Sequence, residues 1–235
     1  MRSPAPSRFL ACETDAVDPA LLACARAAIG FMPDAEGVAL HEAGRAAAPF
    51  GPLVEIGAYC GKSAVYLGAA ARETGTVVFS VDHHRGSDEN QAGWEHHDES
   101  LVDPRSGRID TLPWFRTTIE RADLEAVVIA VVGDSPTVAA HWGTSLGLVF
   151  VDGGHALDVV LADYEAWACH IAPGGLLSFH DVFEDPADGG QAPYEAWRRA
   201  VADGFEPIGT TGSLRVLRRP HARFGVNMER PDTPK

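Results

Sequence analysis

From Leu53 onward the chain alternates between two patterns. Runs of five or six mostly apolar residues stand at 53–57, 76–81, 127–132, 146–151 and 175–180. Between them, near 62–72, 113–122, 135–141, 156–171 and 193–203, small and apolar positions recur at helical spacing. Unbroken apolar runs mark strands covered on both faces, and their alternation with helices predicts a parallel sheet between two helical layers. Two last runs, near 205–209 and 213–219, flank Thr211-Gly212 and predict a hairpin that gives the sheet one antiparallel edge strand.

Before the first strand the pattern is helical. Asp18-Pro19 opens a helix through Ala28, with Asp18 as N-cap and Pro19 in the first turn. A second helix is expected over Asp34 to Ala47, interrupted by Gly37 and Gly44. Residues 1–50 thus form an N-terminal helical cap that begins with a loose arm. Residues 51–219 form the main domain, and 220–235 a surface extension. The stretch 83–111 breaks the rhythm. It is either a substrate lid or a solvated insertion pinned by Trp94, and its place after the strand ending in Asp82 favours the lid.

The sharpest local signal is LVEIGAYCGKSAVYLGAAA, residues 53–71, which reads as strand, glycine turn and helix. A dinucleotide fingerprint, G-x-G-x-x-G, is absent. The turn reads E-x-G-x-x-x-G instead, with Asp82 at the end of the next apolar run, and suits a ligand with an amino acid end and a ribose. The alternative is a turn that only packs its helix on the sheet. The string GAYCGKSAV resembles motif I of class I S-adenosylmethionine-dependent O-methyltransferases, above all the catechol O-methyltransferase type. That resemblance covers roughly Leu53 to Leu217. It implies a Rossmann-like α/β fold: a seven-stranded, mostly parallel sheet with helices on both faces and a C-terminal antiparallel hairpin.

In such a sheet ligands sit beyond the carboxyl ends of the strands. The resemblance implies that the turn (Glu55, Gly57, Ala58, Tyr59, Gly61, Ser63) faces the methionine part of S-adenosylmethionine and that Asp82 takes the ribose hydroxyls. Asp134 and Ser135 either hold the adenine end or cap the next helix. After the fourth and fifth strands stand Asp152 and the pair His180-Asp181. Matched to metal-dependent O-methyltransferases, Asp152, His180 and Asp181 are the expected ligands of a divalent ion, Mg²⁺ or similar, with Asp152 also beside the cofactor. The histidine is a departure from the family's acidic pair. His180 in a supporting role, or a site working without metal, is the alternative. His155, three residues after Asp152, occupies the place of the family's general base, and a capping histidine is the alternative.

The mixed His, acidic and tryptophan content of 83–111 makes His83, His84, Trp94 and the nearby Trp114 candidates for acceptor contact. The resemblance leans toward enzymes that methylate sugars, including the mannoside O-methyltransferases of mycobacterial methylmannose polysaccharide synthesis. The expected acceptor is a sugar or oligosaccharide hydroxyl. A phenol or antibiotic-type small molecule is the alternative, and a nicotinamide-dependent oxidoreductase the alternative outside methyl transfer. A net charge of −14 disfavours nucleic acid as a partner. The absence of a long apolar run disfavours a membrane span. Cys12, Cys24, Cys60 and Cys169 have no disulfide or C-x-x-C spacing, and the N-terminus lacks a signal-like apolar core, so a cytoplasmic enzyme with reduced thiols is expected, as a homodimer. Cys60 is expected to pack, not to react.

Overall fold

The structure, a computed structural model, describes residues 17–94 and 96–221. Most of the expected N-terminal arm with Cys12, Glu95 of the expected lid, and the chain after residue 221 lie outside the described residues. Asp18 accepts the amide N–H of Ala20 at 2.8 Å, and α1 (Pro19–Ala27) starts at the expected proline. α2 (Asp34–Ala47) is continuous, contrary to the interruption expected from its glycines. A Cβ on Gly37 would fall 2.3 Å from the Tyr66 ring, and one on Gly44 3.0 Å from Ala70. These glycines serve close helix packing against the helix after the first strand.

That alternation follows: β1 (Leu53–Ile56), α3 (Lys62–Thr74), β2 (Val78–Asp82), a small hairpin of β3 (Val102–Asp103) and β4 (Arg108–Ile109), α4 (Leu112–Arg121), β5 (Val128–Val132), α5 (Ser135–Ala140), β6 (Leu146–Val151), α6 (Leu157–Trp167), β7 (Ile171–Phe179), α7 (Ala192–Ala202), β8 (Glu206–Thr211) and β9 (Leu214–Arg218). The main sheet has the order β5-β2-β1-β6-β7-β9-β8. The strand pleat sends Leu53, Leu148 and Phe150 to the core under α1–α4, and Val54, Ile56, Val149 and Val151 to the core under α5–α7. Both faces are apolar, which is why the strands read as unbroken runs.

One expectation about the hairpin needs correction. The strand that runs against the rest is β9, and it lies second from the edge, paired with β7 on one side and β8 on the other. Leu214, Val216 and Leu217 are buried, so β9 belongs inside the sheet. β8 carries Pro207, which has no N–H to donate, and takes the edge.

The stretch 83–111 has structure of its own: 3-10 turns at Asp88–Asn90 and Glu99–Leu101, then the β3–β4 hairpin. Leu101 and Ile109 are buried against Cys60, whose thiol burial pushes up to about 12. A thiol so held is a packing group. No helix among the described residues is long and apolar enough to cross a membrane.

Glu55 is fully buried in β1 and ties three elements together. It accepts a hydrogen bond from Ser80 Oγ of β2 at 2.7 Å and another from Ser63 Oγ of α3. Burial raises its carboxyl to about 7 from an ordinary 4.5, despite these two donors. The folded chain therefore holds this proton more tightly than the unfolded one. The resulting stabilisation is full below 4.5 and is lost as pH rises through 7, about 3 kcal/mol in all. Unfolding free energies of the wild type and Glu55→Gln at pH 4 and pH 8 should show the wild type losing about that much relative to the variant. A difference that does not change with pH would refute the shift.

Candidate active site

The parallel register places the tips of β1, β6 and β7 side by side, with Ile56 opposite Val151 and Val151 opposite Phe179. Gly57 leaves β1 at φ +87°, and a Cβ there would stand 2.1 Å from the Asp152 carbonyl oxygen. Only glycine fits. The turn continues through Tyr59 at φ +46° to Gly61. Asp82, at the tip of β2, fixes it: Oδ2 accepts the Tyr59 N–H at 2.8 Å and Oδ1 the His84 N–H at 2.7 Å. Each carboxylate oxygen keeps a lone pair for a ligand hydroxyl.

Two clefts open over these tips. One, about 720 Å³, is lined by Gly57, Asp82, His83, Gly133, Asp134 and Ser135. The other, about 540 Å³, is lined by Ala58, Tyr59, Lys62, Ser63, Phe31 and Phe183 among others. Gly57, Tyr59, Glu89, Trp94, Asp152 and His155 border both, so the clefts meet above the tip of β6. Asp134 caps α5, accepting the Thr137 N–H at 3.0 Å while still facing the larger cleft. Ser135 Oγ accepts from Trp167 Nε1 at 2.8 Å. Asp134 is thus the helix cap, the second of the two alternatives, and it also borders the larger cleft.

At the junction of the clefts six ionisable groups converge. His155 Nδ1 lies 2.9 Å from Glu89 Oε2, and Nε2 lies 3.3 Å from Asp181 Oδ2. Asp181 is the main cause that raises the His155 imidazole to about 9; burial opposes it and Glu89 adds to it. His180 is buried, with Nε2 2.6 Å from Glu36 Oε2 and Nδ1 3.1 Å from Asp152 Oδ1 and 3.4 Å from Asp181 Oδ2. Carboxylates only accept, so a ring facing them from both nitrogens carries both protons. Burial alone would lower this imidazole, but the surrounding carboxylates outweigh it and push it up to about 12. Burial likewise works to raise Asp181, and the two imidazoles overcome it, holding Asp181 well below the carboxylate range. Asp152 is raised by burial, with His180 pulling the other way.

The three donors that converge within 4.8 Å are Asp152, His155 and Asp181. Two carboxylate oxygens and an imidazole nitrogen fit a small divalent cation. His180, expected among the ligands, is not in this group; it is buried, with Nε2 turned to Glu36. Other expected positions also differ. Glu55 and Gly61 line neither cleft, and neither does Trp114, out on α4. His84 is buried beneath the turn, its Nδ1 2.8 Å from Thr111 Oγ1. His83 faces the larger cleft and Trp94 both.

Three acidic residues of this region carry no motif. Glu36 on α2 accepts from the Ser213 N–H at 2.8 Å and Ser213 Oγ at 3.1 Å as well as facing His180. Burial would raise it, but these bonds hold it below its ordinary value. Glu89 comes from the 83–111 stretch. Asp163 lines the larger cleft from α6, and burial raises it to about 6 with Ser135 opposing. Its signal in the sequence was a lone carboxylate within the buried stripe Val160, Tyr164, Trp167.

An open sheet of this strand order, with its clefts over the parallel tips, is the architecture of class I S-adenosylmethionine-dependent O-methyltransferases, the class that the glycine turn resembles. Residues 54–182 match the family described as methyltransferase domain, and the chain belongs to that family. Among solved structures it is similar to the methyltransferase PaMTH1 of Podospora anserina bound to S-adenosylhomocysteine, with 13% identity, 88% of this chain and 90% of that one covered, and a TM-score of 0.61. It is also similar to the O-methyltransferase TomG of Streptomyces achromogenes, involved in tomaymycin synthesis (17%, 86% and 90%, 0.59). An O-methyltransferase of Bacillus cereus in complex with S-adenosylhomocysteine shares the fold too (16%, 88% and 93%, 0.58).

Proposed function

We propose that this protein transfers a methyl group from S-adenosylmethionine to a hydroxyl of a small acceptor, with His155 as general base and a divalent ion held by Asp152 and Asp181. The observation that carries this reading is the convergence of Asp152, His155 and Asp181 where the two clefts meet. The larger cleft suits the adenosyl part, with Asp82 offering its free lone pairs to the ribose and the 57–63 turn bordering the methionine end. The smaller cleft takes the acceptor.

S-adenosylmethionine supplies an electrophilic methyl carbon; the acceptor O–H and the S–CH₃ bonds break, the O–CH₃ bond forms, and the sulfur keeps its electron pair. A divalent ion at Asp152 and Asp181 supplies a lower pKa for the acceptor hydroxyl. His155 Nε2 takes the hydroxyl proton while Nδ1–H stays with Glu89. Asp181 is the largest cause of the raised His155 pKa, and positive charge brought into the loaded site opposes it, which favours the basic form. His155 borders both clefts, so an acceptor held beside it would gain from positioning alongside proton removal.

A sugar hydroxyl is the favoured acceptor. Trp94 offers an exposed ring to a pyranose face, and Ser87, Asn90 and His96 supply hydrogen-bonding groups around it. A phenol is the second reading, favoured by Phe31 and Phe183 in the same cleft. The test is methyl transfer from labelled S-adenosylmethionine to a panel of glycosides, oligosaccharides and phenols, with and without EDTA. Glycoside labelling that EDTA suppresses and Mg²⁺ restores is expected. Labelling of phenols alone would overturn the sugar assignment, and full activity in EDTA would remove the ion.

A further inference from the structure

We infer that Glu89, carried by the lid segment, is the carboxylate that orients His155 for proton transfer, so that the base is complete only when this segment lies across both clefts. The inference rests on the reading of His155 as the base. An imidazole can present either nitrogen to a substrate, and which one is basic is set by the hydrogen bond the other makes. Here Glu89 Oε2 stands 2.9 Å from His155 Nδ1, across 66 residues of chain. A carboxylate accepts only, so the Nδ1 proton is fixed there. Nε2 stands 3.3 Å from Asp181 Oδ2, and with that carboxylate engaged by the cation of the proposed reading it is Nε2 that takes the acceptor's proton. The imidazolium that results lies between Glu89 and Asp181 until it returns its proton to solvent.

The position of Glu89 is built by the lid's own side chains. Asn90 Oδ1 accepts from Ser87 N–H at 2.9 Å and from Ser87 Oγ at 3.0 Å, closing the 3-10 turn on which Glu89 sits. Gln91 Nε2 donates to the Arg85 and Ser87 carbonyls, each at 3.0 Å, and His97 Nδ1 reaches the Asn90 carbonyl at 2.9 Å. Ser87, Glu89 and Asn90 border both clefts, so the turn that presents the carboxylate also roofs the cofactor and acceptor sides. The pair itself is half-exposed, with side chains 34% and 32% accessible. Ion pairs so placed add little to stability. Its effect lies in orientation, not in holding the lid down.

Steady-state kinetics and S-adenosylhomocysteine binding for Glu89→Ala, Glu89→Gln, His155→Ala and the double variant test this. Glu89→Ala should lower kcat about 10- to 100-fold, less than the roughly 10²–10⁴ for loss of the base itself, with cofactor Kd and acceptor KM changed less than about threefold. Glu89→Gln, whose amide oxygen still accepts the Nδ1 proton, should recover part of the loss. In a His155→Ala background, Glu89→Ala should have no further effect, because two residues acting as one unit are not additive. A wild-type kcat in Glu89→Ala, alongside a crippled His155→Ala, overturns the orienting role and leaves the base intact. A weakened cofactor Kd with unchanged kcat makes Glu89 a lid clasp and also overturns it. A wild-type rate in His155→Ala removes the base itself, and the inference falls with it.

Discussion

Replacing His155 with alanine is expected to lower kcat by roughly 10² to 10⁴, the range for loss of a general base, while leaving cofactor affinity nearly unchanged. The separation follows from where His155 stands. It contacts Glu89 and Asp181 at the cleft junction and makes no hydrogen bond to the glycine turn or to Asp82. The measurement is kcat at saturating cofactor, paired with calorimetric binding of S-adenosylhomocysteine. Retained turnover would show that another group, or water, takes the proton. A large loss of cofactor affinity would show that His155 shapes the donor site instead.

Asp82→Ala should fail in the opposite way. The variant removes the acceptor for the Tyr59 and His84 amides, both on residues held at positive φ, and removes the lone pairs offered to the ribose. Hydrogen bonds to a charged group contribute about 1.5–3 kcal/mol each, so a hundredfold or greater rise in the Kd for S-adenosylhomocysteine is expected. Asp82→Asn keeps one carbonyl oxygen and should fall between. An unaltered Kd in Asp82→Ala would take this residue out of the ribose site.

The sheet was legible because its strands are apolar on both faces and its helices carry strong three- and four-residue periods. The clefts' position followed from the strand tips alone. Packing across elements was less legible. Gly37 and Gly44 looked like helix breakers, since their purpose appears only once Tyr66 and Ala70 lie beneath them. The order of β8 and β9 turned on burial of Leu214 and Val216, which no local pattern announces. At the site, single residues next to strand ends were legible, and partners brought from afar were not. Glu36 reaches His180 across 144 residues and Glu89 reaches His155 across 66. Those two carboxylates change what the histidines are: His180 becomes a caged cation where a ligand was expected, and His155 gains a fixed orientation.

The cage around His180 bears on how the protein can be cut. Glu36 comes from α2, and the turn before β9 wraps it so tightly that a Cβ on Gly212 would lie 2.0 Å from its carboxylate. The span matched by the family, residues 54–182, includes neither piece. A trimmed catalytic fragment, or a chimera that grafts a foreign N-terminal helix pair onto this sheet, would leave the buried ring without the carboxylate that faces its Nε2. The helices ahead of the sheet are in that sense part of the reaction chamber's wiring, and engineering of the enzyme has to carry them along.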